Sequence, residues 1–433
     1  MRDIAVTVVI LGSIPFILRR PYIGILMWTW IGFMNPHRLC WGFAFNQPFA
    51  LIVAIATLVG LLVSREPKNM PWTRESILLL MFVAWMLVTT IFSFYPEIAW
   101  PHFQKVAKIQ LMVFVTIMLM QSKERINLLV WVMALSLAFY GVKGGIFTIT
   151  TGGVFHVRGP SGSFIGGDNE MGLALVMTIP LLRYLQLVAT QMWVRHGLTA
   201  AMGLTALAAI GSQSRGAMLG IVSMGTFFWL KSRNKVFTTL LAVAAATLIL
   251  SVMPQQWFDR MATVTNYEQD ASAMGRINSW KMAFNLAKDR PFGGGFDAFQ
   301  WNTFAMYAPD PDDVHDSHSI YFEILGEHGF VGLGIFLLLG FMTWFTASSV
   351  IRIARNDPAR RWAADLAAMV QVSLVGYASA GAFLGLAYFD FYYTLIAVVV
   401  LCKIVMTSEP SDRKAGASQP LVDPTLPGRR VPT

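Results

Sequence analysis

Apolar runs about the length of a bilayer span, joined by short polar connections, fill most of the chain. Twelve stand out, at 21–35, 49–64, 75–94, 101–120, 126–149, 169–188, 196–211, 214–231, 236–253, 318–349, 362–385 and 388–406. They predict an all-α integral membrane protein of about twelve transmembrane helices. A thirteenth run, 4–18, is short and interrupted by Pro15, and its status is left open. No alternating apolar/polar pattern is present, which argues against a barrel.

One long polar stretch breaks the pattern. The chain divides into N-terminal transmembrane helices over 1–253, a polar loop domain with helices over 254–317, C-terminal transmembrane helices over 318–407 and a tail over 408–433. The tail is rich in Pro, Ser, Gly and charge and reads as disordered. Within the polar segment, 272–288 predicts a helix with an apolar stripe of Met274, Ile277, Trp280, Ala283, Phe284 and Ala287, stopped by Pro291-Phe-Gly-Gly-Gly295. The run 318–349, taken as one helix, would be roughly 48 Å long against a hydrocarbon core of about 30 Å. Its first turns, with His318, Glu323, Glu327 and His328, are therefore expected to project into the interface.

Composition agrees with a membrane chain. Hydrophobic residues make up 55% and charged residues 13%, with mean hydropathy +0.55; a soluble domain is about a quarter charged. The net charge of +9 matters through its placement. Of the 33 Lys and Arg residues, 21 fall on one face, which is read as cytoplasmic and carries the C-terminus. The polar segment then lies on the opposite side, and no nucleic-acid partner is called for. Cys40 and Cys402 fall on opposite faces, so neither a disulfide framework nor a metal–cysteine motif can be built from them.

Basic residues on the outer face run against this charge bias and mark candidate chemistry. Arg215 sits in the very short hairpin Ser212-Gln-Ser-Arg215-Gly216, at the membrane boundary, where its guanidinium suits bidentate phosphate contacts. Arg276 falls in the first turn of the 272–288 helix, which disfavours a cation unless an anion is near. Lys105 and Lys108 share a helix face and suit either an anion or outer headgroups. The glycine-rich loop 150–169 carries His156, Arg158, Asp168 and Asn169 and suits either an anion-binding loop or a plain connector. The acidic run Asp310 to Asp316 brackets His315 and leads into His318, without a complete cation-loop pattern. Walker-type loops are absent. A group-transfer donor here must carry its own leaving group, and a lipid diphosphate fits a cleft at the membrane boundary.

Four short motifs occur in order: Ser212-Gln-Ser-Arg215-Gly, Gly275-Arg276-Ile-Asn-Ser-Trp280, Arg290-Pro-Phe-Gly-Gly-Gly295 and His318-Ser-Ile-Tyr-Phe-Glu-Ile-Leu-Gly-Glu-His-Gly329-Phe-Val-Gly332. Their order, spacing and large outer segment resemble the bacterial O-antigen ligase/polymerase superfamily. The N-terminal part, with Arg19-Arg-Pro-Tyr and Phe33-Met-Asn-Pro-His-Arg38, resembles an exosortase-associated O-glycosylation ligase-like subgroup. One departure is His318-Ser, where the family often has His-Asn. The resemblance implies a GT-C-type architecture in the bacterial inner membrane, with an active site facing the periplasm. It implies an inverting, metal-independent glycosyltransferase that needs no cofactor. It further implies transfer of a glycan from undecaprenyl diphosphate to lipid A–core oligosaccharide, in lipopolysaccharide biosynthesis. In that reading His318 is the general base, Arg215 and Arg276 hold the diphosphate, and Arg158, Lys105 and Lys108 are further phosphate ligands. His315, Asp316, Glu323 and Asn169 support the site. An O-antigen polymerase and a protein O-glycosylation ligase would use the same donor. A lipid-linked oligosaccharide flippase is the alternative of another class, against which the single dominant outer segment speaks.

Overall fold

The computed structural model describes residues 1–231, 234–262 and 271–408. Among these residues there are helices and loops and no strand. The helices are α1 (Arg2–Arg19), α2 (Tyr22–Met34), α3 (Phe49–Val63), α4 (Arg74–Ile91), α5 (Pro96–Leu119), α6 (Lys123–Thr150), α7 (Asp168–Val188) and α8 (Met192–Gly211). They continue with α9 (Arg215–Lys231), α10 (Lys235–Val252), α11 (Gln255–Ala262), α12 (Ala271–Asp289), α13 (Trp301–Tyr307), α14 (Ile320–Ala354), α15 (Arg361–Ala380) and α16 (Asp390–Ser408).

Among the described residues seven helices, α4 to α7 and α14 to α16, are long and apolar enough to cross a membrane. Helices α2, α3 and α9 are shorter apolar helices. Helices α8 and α10 coincide with the expected runs 196–211 and 236–253. The open segment 4–18 is one helix, α1, with Pro15 inside it. The tail beyond Ser408, with its expected disorder, and the basic position Arg233 lie outside the described residues.

Helix α16 is apolar all round, and Phe391 to Cys402 are buried without interruption; such a helix belongs at the centre of a bundle. It shares one core with α6, α7 and α15, in which Leu173, Val176, Met177, Leu366 and Val370 are fully buried. Other helices turn large apolar side chains outward, among them Leu62, Val63, Phe341 and Phe345. This is the surface of a multi-pass membrane protein, whose solvent on that face is lipid. Both cysteines are free and buried.

Helix α12 confirms the predicted helix, but its buried face differs from the predicted stripe. Met274 and Phe284 are exposed, while Ser279, Met282, Ala283, Leu286 and Ala287 are buried. Met282 and Leu286 build a small core with Ala298 and Phe304, and α12 also lies along α14. The helix has partners on two sides, so a single stripe did not describe it.

The run from 318 departs most from expectation. Helix α14 starts at Ile320 and breaks at Gly329, whose φ of 65° and ψ of −170° are not helical. Glu327 and His328 do not reach into an interface; they are buried inside the bundle. His328 Nδ1 meets the Thr89 hydroxyl at 2.7 Å, and its Nε2 meets the Tyr388 hydroxyl at 2.7 Å. Tyr388 in turn donates to Glu327, whose other oxygen accepts the Asp297 N–H at 2.8 Å. Hydrogen bonds inside the protein replace the water that sequence length alone called for.

The break frees carbonyls that a continuous helix would occupy, and each finds a donor elsewhere. Gly294 N–H donates to the Gly326 carbonyl at 2.9 Å, and Gly295 N–H to that of Glu327 at 2.9 Å. The Trp85 indole donates to the His328 carbonyl at 2.9 Å. The approach is close enough that a Cβ on Gly293 would stand 2.7 Å from the Glu327 carbonyl carbon. This accounts for Phe292-Gly-Gly-Gly295: two glycines donate to the break, and the chain carrying them lies against its backbone.

Candidate active site

Three consecutive side chains of α12 fix the approach to His318. Asn278 Nδ2 donates to the carbonyls of Asp310 at 2.8 Å and Asp313 at 3.0 Å, and its Oδ1 accepts the Asp310 N–H at 3.0 Å. Ser279 Oγ donates to the His315 carbonyl at 2.9 Å. Trp280 Nε1 donates to the Ser317 carbonyl at 2.8 Å, and its ring stacks on Phe322 at 4.9 Å. Gly275 leaves room for His315, because a Cβ there would lie 2.3 Å from His315 Cδ2. The acidic run is thus laid along α12, and His318 is delivered at φ 42°, in the left-handed region. That conformation costs a residue with a side chain about 1–3 kcal/mol and persists only where surroundings impose it.

The arginines arrive on other segments. Arg215 is the first residue of α9, after a hairpin that Gln213 turns at φ 56°. Gln213 Nε2 donates to the Gly153 carbonyl at 2.9 Å, which ties the hairpin to the glycine-rich loop. Close packing helps, since a Cβ on Gly172 of α7 would lie 2.6 Å from Ser212 Oγ. His156 Nδ1 meets Asp168 Oδ2 at 2.6 Å and holds the start of α7, where Asn169 follows.

Asn169, Arg215, Arg276 and His318, from α7, α9, α12 and the start of α14, line one cavity of about 220 Å³, closed by Ser272 and Phe383. Two guanidinium groups facing one small space favour an anion there. Burial lowers the pKa of the His318 imidazole; Asp316 acts against this, and the charges of Arg276 and His315 reinforce it. The ring is therefore neutral near pH 7 and able to take a proton. It makes no hydrogen bond among the described residues.

A second cavity of about 700 Å³ lies alongside. It receives Lys105, His315, Asp316 and Glu323, together with Glu170. Close neighbours in sequence divide between the two cavities: Asp316 and Glu170 line the larger, His318 and Asn169 the smaller. None of His315, Asp316 and Glu323 hydrogen-bonds His318. His315 Nε2 pairs with Asp313 at 2.6 Å, Asp316 accepts the Ser317 N–H at 2.7 Å, and Glu323 accepts the Ala387 N–H at 3.0 Å. Lys105 stands 3.8 Å over the Phe164 ring. Arg158 and Lys108 are exposed and line neither cavity.

Sequence reasoning missed His102, whose Nδ1 meets Asp297 Oδ2 at 2.6 Å in the wall of the larger cavity. It also missed Tyr388 and Gly385 there. A signal existed for His102, which precedes Lys105 by three residues and so shares its helix face.

Residues 200–337 match the family described as O-Antigen ligase, and residues 1–190 match a family of unknown function, DUF5935. No curated protein matches the chain. The matched 200–337 region carries Arg215, Arg276 and His318.

Proposed function

We propose, for a chain that belongs to the O-antigen ligase superfamily, that it is an inverting glycosyltransferase moving a glycan from undecaprenyl diphosphate to lipid A–core oligosaccharide. The observation that carries this reading is the meeting of Arg215, Arg276 and a neutral His318 in one cavity. His318 accepts the proton of an acceptor hydroxyl. The oxygen attacks the anomeric carbon, the bond from that carbon to the diphosphate oxygen breaks, and the diphosphate leaves with the electron pair. Arg215 and Arg276 stabilise the charge that grows on it, the part a metal ion plays in other glycosyl transfers. Asn169 offers a side-chain amide to the same space.

The same reading takes the twelve expected runs as membrane spans, with 254–317 and the cavity on the periplasmic side of the inner membrane and the C-terminus in the cytoplasm. The bias of Lys and Arg along the chain supports that orientation. A polymerase or a protein O-glycosylation ligase would use the same donor and differ only in acceptor.

The test uses purified protein in liposomes with undecaprenyl diphosphate-linked glycan and lipid A–core, without ATP and with EDTA. Transfer to core by wild type and none by His318→Ala supports the ligase reading. Longer lipid-linked chains without transfer to core would make the protein a polymerase. Transfer abolished by EDTA would overturn the role given to the arginines.

A further inference from the structure

The larger cavity, at about 700 Å³, lies within the range of small-ligand sites and exceeds what the reacting diphosphate needs. Its chemistry differs from that of its neighbour. The arginine cavity gathers positive charge, whereas the larger one sets five carboxyl groups against Lys105, His102 and His315 and adds the rings of Phe164, Phe299 and Tyr388. Carboxyl oxygens accept hydrogen bonds from hydroxyl and ammonium groups, and those that are ionised repel phosphate. Aromatic rings offer flat apolar faces to the C–H face of a sugar ring.

One point in the cavity is shaped for such a donor. A Cβ on Gly385 would stand 3.5 Å from Asp316 Oδ2 and 3.5 Å from Glu323 Oε2. Both carboxylates are held: Asp316 by the Ser317 N–H, and Glu323 by the Ala387 N–H. The missing side chain of Gly385 leaves the space between them open, and a single hydroxyl or amine can bridge both. Lys105 lies over the Phe164 ring and interacts with the carboxylates of Asp297 and Asp390.

We infer that this cavity is the acceptor subsite, and that it takes an uncharged or amine-bearing sugar without phosphate. The inference rests on the reading that the arginine cavity holds the donor diphosphate. In an inverting displacement the nucleophile approaches opposite the leaving group. The larger cavity is the neighbouring space, since Asp316 and Glu170 line it while His318 and Asn169, beside them in sequence, line the smaller one. The acceptor hydroxyl enters from there and meets the imidazole where Asp316 and His318 divide the two spaces.

The experiment uses full-length protein in nanodiscs and soluble oligosaccharides of one backbone, ending in a neutral sugar, an amino sugar or a phosphorylated sugar. Saturation-transfer NMR reads their binding, and the transfer assay reads their use. Binding of neutral and amine-bearing forms, about tenfold or more weaker for the phosphorylated one, is expected. Gly385→Ala meets only ordinary van der Waals distances, so the variant folds. It should raise the acceptor KM about tenfold and leave undecaprenyl diphosphate binding unchanged. Equal or better binding of the phosphorylated form overturns the inference, as does a Gly385→Ala effect on donor KM alone. Saccharide binding that Gly385→Ala weakens, without transfer to any acceptor, would keep the cavity's specificity and refute the enzyme reading instead.

Discussion

Trp280 donates its indole N–H to the carbonyl of Ser317 at 2.8 Å, one residue ahead of His318. The bond joins a helix in the middle of the polar segment to the backbone that sets the histidine's left-handed turn. Trp280→Phe keeps an aromatic face on Phe322 and removes the donor. We expect a loss of about 1 kcal/mol in stability. We also expect a fall in kcat with donor KM little changed, because the imidazole is displaced while the arginines are not. A thermal melt beside steady-state kinetics reads both.

His318 has two separable properties, its ring and its φ of 42°. Asn tolerates the left-handed region but supplies no base at neutral pH. His318→Asn should therefore melt near the wild-type temperature while turnover drops about 10²–10⁴-fold, the range for a lost general base. A variant that keeps turnover within a few-fold would leave the imidazole only a shape to provide.

The pH profile follows from the lowered pKa of His318. A base works while neutral, so activity is lost as pH falls through the folded-state pKa, below the ordinary value of about 6.5. Asp316 raises that pKa and Arg276 lowers it. Asp316→Asn should move the acid limb further down, and Arg276→Gln should move it up. Single-turnover rates across pH read the limb even where turnover is reduced, and shifts of the opposite sign would remove His318 as the titrating group.

Gly329 lies in a backbone region open only to glycine, and a Cβ there would fall 2.0 Å from the Pro291 carbonyl oxygen. Gly329→Ala should cost about 2 kcal/mol or more. The loss should appear as a lower melting temperature in detergent, without any change to a residue of the arginine cavity.

Much of this was legible in the chain. Apolar runs located the helices because lipid-facing and buried turns are both apolar, and arginines against the charge bias stood out for what they cost there. Arg215, Arg276, His318 and Asn169 meet in one cavity. The sequence did not show that Asn278, Ser279 and Trp280 act as donors to a distant loop, since hydrogen bonds to backbone leave no side-chain pattern at the acceptor end. Nor could it show that Glu327 and His328 are buried. Their polarity suggested water, and the satisfying partners, Thr89 and Tyr388, lie far away in sequence. The apolar face of α12 was misplaced for a similar reason, because α13 and α14 cover different sides of it.

The bend at Gly329 also bears on the order of assembly. Its three carbonyls are served by Trp85, made some 240 residues earlier, and by Gly294 and Gly295, made just before. Nascent chain entering the bilayer can close every backbone bond of a straight helix by itself, but not those of this one. The bent form becomes favourable only after α4 is in place and the segment with Gly294 and Gly295 has folded back against it. Completion of α14 thus waits on the folding of the segment that carries Arg276, so the polypeptide acquires the turn into His318 and the arginine of the same cavity in one late step of its assembly.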